Sequence, residues 1–573
     1  VTVQTYHGLA MRLTGTSFAT LAQTSSPDPA GLRIPDFDAL IGDAVRLLTV
    51  GGELPGLALD ELREQILAGF SHILVDEYQD INRDQYELVS ALAGRGERDR
   101  ERRLAILAVG DDDQNIYGFA GADVGFIRRF REDYRAEVHY LVESYRSTAH
   151  ILAAANRLIA RNRGRMKGRR PIAVDAARRA DPPGGRWASL EPAAGGRVGC
   201  LRVADGALQA VAIAERLFHM RRIDSELRWE DCAVLARQHA VLEPVRAVLE
   251  DRGVPLTWTA ERDRLPPLYR IREVAALLAE LRERRREILR ASQIEELWLR
   301  GPAARDPAAD GAENPWRSLV CELLAEWREE TGDGELAVQG FLEFFCEALV
   351  ERRRESAFGD GVRLATVHAA KGLEFRHVFL ADGKWEPPRD GFPGPVEEEE
   401  RRLYFVGMTR ARETLHLLER RDSCNPHLAG LAGEFLTLRE PRLEPPDEAV
   451  AGRRFALLGL ADLYLSYAGR RVAEAPIHRR LAALQPGDPL RLQPSGDFLL
   501  LADREGGDLG ALSATGRERW GDRLEAIETI RVVAMVERRA EDSEDEYRAR
   551  LRCERWEVPV AEVVYRRGDA DRE

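Results

Sequence analysis

Two short apolar strands, each running straight into a cluster of acidic residues, constrain this chain most. His72-Ile73-Leu74-Val75 leads into Asp76-Glu77-Tyr78-Gln79-Asp80, and Leu104 to Val109 leads into Gly110-Asp111-Asp112-Asp113-Gln114-Asn115-Ile116-Tyr117-Gly118-Phe119. Strands read as buried on both faces belong to parallel sheets covered by helices. Polar side chains just beyond their carboxyl ends enter the crevice where phosphates bind. Asp76 is therefore assigned to a Mg²⁺ ion, and Glu77 to polarising the water that attacks a γ-phosphate. Taken alone, either segment reads equally well as a strand followed by a solvated acidic turn.

Three further blocks follow in order: Glu143-Ser144-Tyr145-Arg146-Ser147, Thr366 to Phe375 (TVHAAKGLEF), and Glu398 to Ala411 (EEERRLYFVGMTRA). All five resemble the UvrD/Rep/PcrA family of superfamily 1 DNA helicases, whose DExQD and GDxDQSIYxWRGA blocks are not generic. The resemblance implies an α/β fold of two RecA-like parallel-sheet domains, the first incomplete, with helical insertions. It also implies ATP and Mg²⁺ as cofactors and 3′ to 5′ movement on single-stranded DNA. Arginine stays charged and offers a planar fork of donors, which suits Arg146 and Arg410 to a transferred phosphoryl group. The family pattern places Tyr145 on the adenine, Gly372 and Glu374 at the nucleotide with Glu374 accepting from the ribose, and Gln114 as sensor of the γ-phosphate.

Single-stranded DNA is gripped without sequence preference by aromatic faces and phosphate contacts. Tyr117 and Phe119 suit the stacking part, and Thr5-Tyr6-His7-Gly8-Leu9-Ala10 resembles the family's TFHxLA block, so that Thr5, His7 and His368 would meet the strand's backbone. Two departures stand against these matches. No GxxxxGK(S/T) occurs, although a P-loop cradles the β- and γ-phosphates and completes the Mg²⁺ shell. The chain is accordingly expected to be the carboxyl-terminal part of a longer protein and inactive alone, with a degenerate paralogue or completion by a partner as the alternatives. Phe119 and Ala120 replace the family's tryptophan and arginine, which predicts weaker stacking on DNA there.

At 573 residues the chain exceeds one ordinary core. The expected division is 1–147 for the partial first RecA-like domain, 148–270 and 356–440 for the second, 271–355 for a reduced helical insertion, and 450–567 for a β-rich tail. No apolar run or amino-terminal leader points to a membrane or secretion, which predicts a cytoplasmic protein. The six cysteines lack CxxC spacing. A net charge of −13 argues against nucleic acid at face value, yet Arg157 to Arg186 carries ten basic and two acidic residues, a patch that follows a DNA backbone or is a solvated linker. Only Lys167, Lys371 and Lys384 are lysines, against eighty-one arginines, and Lys371 falls inside a block, a weak sign that an ammonium is wanted there.

In the tail, Phe455 to Ala468 has helical periodicity, Leu490 to Leu501 reads as strand, turn, strand, and Ile530 to Glu537 and Trp556 to Tyr565 read as strands. A small barrel serving DNA or a protein partner is expected. Such tails resemble those of bacterial proteins that join a RecQ-like half to a UvrD-like half. The leading reading is an ATP-dependent DNA helicase or translocase of repair or recombination, acting on single-stranded and partly duplex DNA. A non-hydrolysing DNA-binding or scaffold module is the second. A helicase subunit of a helicase/nuclease complex ranks last, because the tail has no carboxylate cluster with a lysine.

Overall fold

The computed structural model describes residues 4–15, 37–49, 70–95, 103–118, 121–168, 170–193, 198–259, 265–301, 314–352, 357–385, 394–431, 435–543 and 545–566. They fall into two units, one built from Ile41–Thr259 and Phe358–Ala451, the other from Val1–Leu40, Ala260–Ala357 and Gly452–Glu573. The first carries the parallel sheets, including a short pair of Glu143–Ser144 with Ala173–Val174. His72–Val75 pairs in parallel with Ala105–Ala108, Val75 opposite Ala108, so the two carboxyl ends lie side by side. The helix Arg83–Ala93 follows, started by a capping box in which Asn82 and Gln85 satisfy each other's backbone amides.

The second sheet runs in the order Leu256–Thr259, Val362–Thr366, Cys232–Ala236, Phe375–Leu380, Ala411–Arg420, Gly199–Val203, Thr437–Arg439, and these neighbours are all parallel. Every residue of Cys232–Ala236 is buried. The helices Ala149–Ile159 and Pro395–Met408 share one apolar core with the sheet, through Ile151, Leu158, Leu235, Val378, Tyr404 and Val406. This is the α/β architecture expected of RecA-like sheets.

One expectation fails in the first sheet. Ile73–Val75 was expected to be buried on both faces, but Leu74 is 66 % exposed, and Leu107 and Val109 on the neighbouring strand are 56 % and 47 % exposed. Leu74 pairs with Leu107, so among the described residues one face of this two-stranded sheet is uncovered. The opposite face packs, with Val75 buried near the buried rings of Tyr78 and Phe130. Apolar composition marked these strands as core, but a strand's inner faces are set by what lies over them, which a single strand's sequence does not encode.

In the second unit, the helices Arg272–Glu283, Ala291–Arg300, Pro315–Thr331 and Val338–Arg352 precede a tail sheet ordered Arg453–Leu458, Arg555–Arg566, Ile527–Arg539, Pro489–Ser495, Phe498–Ala502, Asp508–Ala511. The paired strands are antiparallel. The strand, turn, strand at Leu490 to Leu501 and the two later strands stand as expected. Phe455 to Ala468 is not a helix: Arg453–Leu458 pairs along Arg555–Arg566, and short 3₁₀ turns follow at Leu460–Asp462 and Ala468–Arg470. A partner strand a hundred residues away overrides local periodicity here. The ladders form an open sheet in place of the small barrel expected, with isolated bridges at Leu463–Leu512 and Ile271–Val536.

Helices and tail sheet are fastened by arginine and tryptophan. Arg270 pairs with the buried Asp542 at 2.6 Å, Arg272 grips both oxygens of Glu557 and the carbonyls of Leu481 and Leu484, and Trp316 Nε1 donates to Val533 O at 2.8 Å. No described helix is long and apolar enough to cross a membrane.

Candidate functional site

The chain turns sharply as it leaves His72–Val75. Glu77 takes a left-handed backbone, φ 47°, rare for a residue with a side chain. Such strain persists only where surrounding contacts hold it. Here Glu77 N donates to Asp76 Oδ1 at 2.9 Å, Gln79 Nε2 donates to Glu77 Oε2, and Tyr78 N donates to Val109 O at 2.9 Å. Gln79 is fully buried, and its Oε1 accepts from Asp111 N at 2.9 Å. One glutamine thus ties the acidic ends of both strands together. Asp76 is exposed, and its second oxygen has no protein donor among the described residues. That fits a hard cation, which takes carboxylate oxygens together with water.

Asp111, Asp112 and Asp113 form a second acidic group, their carboxylates within 4.8 Å of one another. Protein cations fill it. Arg165 grips Asp113 through Nε at 2.7 Å and Nη2 at 2.5 Å, Met166 N donates to Asp112 Oδ2 at 2.7 Å, and Lys167 Nζ donates to Asp111 Oδ2 at 2.6 Å. Three consecutive residues thus meet three consecutive aspartates in reverse order. Burial and the neighbouring Asp113 and Asp111 charges raise the Asp112 carboxyl, against the Met166 hydrogen bond.

A cleft of about 420 Å³ opens beside this group, lined by Asp111, Gln114, Tyr145, Arg146, Glu374 and Arg410 among others. Tyr145 exposes 75 % of its surface there, an open aromatic face. Arg146 Nε donates to Glu374 Oε2 at 2.5 Å, so two residues expected at different parts of a nucleotide pair with each other. Arg410 is 2 % exposed and donates to the carbonyls of Val406 and Leu373, to Thr409 Oγ1 and, at 3.5 Å, to Gln114 Oε1. Burial first, and Arg146 second, lower its pKa to about 10. Among the described residues no carboxylate forms an ion pair with Arg410, though the charges of Glu77, Glu374 and Asp111 act on it from nearby. Gly372 takes φ +83°, a left-handed turn that suits glycine.

Lys371 reaches Asp80 and the carbonyl of Gln114 at 3.0 Å, with its ammonium 5.0 Å from the Tyr117 ring centroid. Burial, chiefly, raises the Asp80 carboxyl even with this ammonium beside it. Tyr117 lies against His368, whose pKa falls to about 4 through burial, with Arg237 adding to it. His368 is therefore neutral at physiological pH and meets any phosphate as a hydrogen-bonding group, not as a charge.

Asp76, Glu77, Gln114, Tyr117, Tyr145, Arg146, His368, Gly372, Glu374 and Arg410 thus lie in one unit. Thr5 and His7 lie in the other, where Thr5 caps the helix Tyr6–Thr14 and its backbone amide donates to Glu347 Oε1 at 2.9 Å. Phe119 lies outside the described residues. Sequence reasoning missed Gln79, Arg165 and Lys167. The basic run Arg157 to Arg186 was read as a DNA track or a linker, whereas two of its cations turn inward, Arg165 and Lys167 being nearly buried. The rarity of lysine was the available signal.

Parallel sheets whose strand ends carry acidic residues beside a cleft with two arginines define an α/β protein with RecA-like sheets. The family described as UvrD/REP helicase N-terminal domain matches residues 10–135, and the UvrD-like helicase C-terminal domain matches 319–421. The chain carries UvrD/Rep/PcrA-like superfamily 1 helicase domains. ATP-dependent DNA helicase UvrD1 of Mycobacterium tuberculosis is 28 % identical over 558 residues, covering 79 % of this chain and 67 % of the relative. DNA helicase II of Escherichia coli is 29 % identical over 412 residues, 61 % of this chain and 55 % of the relative. ATP-dependent DNA helicase UvrD2 of Mycobacterium bovis is 31 % identical over 403 residues, 68 % and 51 %. The chain therefore spans from about half to two thirds of the length of these relatives.

Proposed function

We propose that this chain provides the hydrolytic and DNA-gripping parts of an ATP-dependent helicase or translocase moving 3′ to 5′ on single-stranded DNA, in repair or recombination. The observation that carries the reading is the convergence of Gln114, Arg146 and Arg410 on one cleft, with the Glu77 charge near enough to act on Arg410. The proposed reaction belongs to a site completed by a phosphate-cradling loop, a motif absent from the 573 residues. Asp76 is the proposed holder of Mg²⁺, which when bound neutralises charge on the β- and γ-phosphate oxygens.

Each residue then has a task set by its surroundings. Glu77, fixed by its turn and by Gln79, takes the proton of the attacking water. Arg146 leaves Glu374 for the phosphoryl oxygens, and the released carboxylate accepts from the ribose. Arg410, already desolvated, neutralises the charge that develops as the γ-phosphoryl departs. Gln114 touches Arg410 and, through its backbone carbonyl, Lys371 beside Tyr117 and His368, a route from phosphate to the proposed DNA-binding side chains. Thr5, His7 and Phe119 complete the proposed DNA contacts.

The test is ATP hydrolysis with and without single-stranded DNA, on this chain and on the full-length protein. DNA-stimulated hydrolysis by the full-length protein, lost in Glu77→Gln and Arg410→Ala with ATP binding spared in the former, is the expected result. DNA binding with no hydrolysis in either form favours the non-hydrolysing module. Near-normal turnover by either variant refutes the assigned roles.

A further inference from the structure

The amide of Gln114 is held at three points. Its Nε2 donates to Asp111 Oδ2 at 3.1 Å, its Oε1 accepts from Arg410 at 3.5 Å, and its backbone carbonyl accepts from Lys371 at 3.0 Å. Only one orientation satisfies both ends of the side chain. With the amide turned over, its NH₂ would face the guanidinium and its oxygen would face the carboxylate. The Asp111 carboxylate, held by Lys167, therefore sets which atom of Gln114 points at Arg410.

Asp111 does not hold that position by itself. It belongs to three carboxylates within 4.8 Å of one another, whose like charges repel unless cations lie between them. Arg165 spends its fork on Asp113, and Met166 offers Asp112 a backbone amide. The remaining positive charge is Lys167, whose ammonium lies 2.6 Å from Asp111 Oδ2, the oxygen Gln114 uses, and 3.5 Å from Asp113 Oδ2. A compact ammonium with three donors reaches two carboxylates at once.

We infer that Lys167 is a positioning residue: acting through Asp111, it fixes the orientation in which Gln114 presents its oxygen to Arg410. The inference rests on the proposed role of Gln114 for its consequence in hydrolysis, but not for the orientation itself. It also gives a physical reason for one of the three lysines of an arginine-rich chain. Nothing in the helicase reading assigned this residue a task.

The orientation is read from the side-chain amide signal of Gln114 in the full chain labelled with ¹⁵N-glutamine, assigned by its disappearance in Gln114→Glu. In Lys167→Met the signal is expected to move to the position of solvent-exposed glutamine amides, with the melting temperature within a few degrees of the parent. Lys167→Arg, which keeps the charge, restores at least part of the shift. Asp111→Asn keeps an acceptor without the charge and serves as the second variant, with the same expected loss. An unmoved signal in Lys167→Met or in Asp111→Asn overturns the inference.

In a hydrolysing full-length protein, Lys167→Met is expected to lower kcat tenfold or more with KM within about twofold, and Lys167→Arg to recover most of it. A tenfold rise in KM at unchanged kcat would put Lys167 on the nucleotide itself and overturn the positioning role. If the full-length parent hydrolyses nothing, the motor reading fails, and the amide signal alone decides the positioning.

Discussion

Replacing Arg410 with alanine separates two quantities that usually fall together, catalysis and stability. The side chain is buried with its direct hydrogen bonds going to neutral acceptors, and the drop in its pKa from the ordinary 12.5 to about 10 means that its surroundings, burial first and Arg146 second, disfavour the charged form by about 3 kcal/mol on balance. Removing the guanidinium recovers that cost. Against it stand two buried methylenes, Cγ and Cδ, worth about 2 kcal/mol together, and hydrogen bonds to Val406 O and Leu373 O worth about 1 kcal/mol each. The balance is a loss of only about 1 kcal/mol. An arginine that stabilises a transferring phosphoryl group is worth about 10³-fold or more in turnover. Urea unfolding of this chain, with DNA-stimulated hydrolysis of the full-length protein, is therefore expected to show Arg410→Ala nearly as stable as the parent and about a thousandfold slower. A loss of stability above about 4 kcal/mol would mean that the arginine is a structural strut, as for the breaking of a buried pair, and the reasoning from its unneutralised charge would be wrong.

Acid should weaken the fold through its histidines. Burial lowers His368 and His377 to about 4 and His427 to about 3, below the value near 6.5 of an unfolded chain. The unfolded chain therefore binds protons first, so this stability is whole above about pH 6.5 and is lost as pH falls towards 4. His427→Phe, beside Trp385 and Tyr404, should flatten the decline in urea midpoint between pH 7 and 4.5; a midpoint indifferent to pH in the parent refutes it. Gly516→Ala would set a methyl 2.0 Å from Asp462 O and should cost about 1–3 kcal/mol in urea, whereas Gly510→Ala, which meets nothing, serves as the neutral comparison. Trp316→Phe removes the bond to Val533 O and leaves that carbonyl without its indole donor, so a loss of about 1–3 kcal/mol is expected. An unchanged melting temperature would show that the helices do not lean on the tail sheet through this residue.

Much of the site was legible because its chemistry is written in short segments. Asp76 and Glu77 end one strand, Asp111 to Gln114 follow its neighbour, and parallel pairing of Val75 with Ala108 brings both to one edge. What stayed hidden depends on partners far away in sequence. Arg165 and Lys167 lie in a basic run, and only the fold shows that they face Asp113 and Asp111 across some fifty residues. The pairing of Arg146 with Glu374 spans 228 positions and has no local signature. Phe455 looked helical because its neighbours repeat at helical spacing, while the strand that claims it begins at Arg555. Local pattern fixes what a segment can be, and distant partners choose among those options.

The bare face of the two-stranded sheet carries a consequence for the molecule at high concentration. Parallel sheets are ordinarily roofed on both sides, and here Leu74, Leu107 and Val109 meet water beside backbone that a further strand can join. An apolar strip next to an open strand edge is a template for association between copies. The strand that leads into the acidic turn at Asp76 and Glu77 is thus also a nucleus for precipitation, and a charged side chain at Leu74 would separate the two, leaving the acidic turn in place while making the strip repel its own kind.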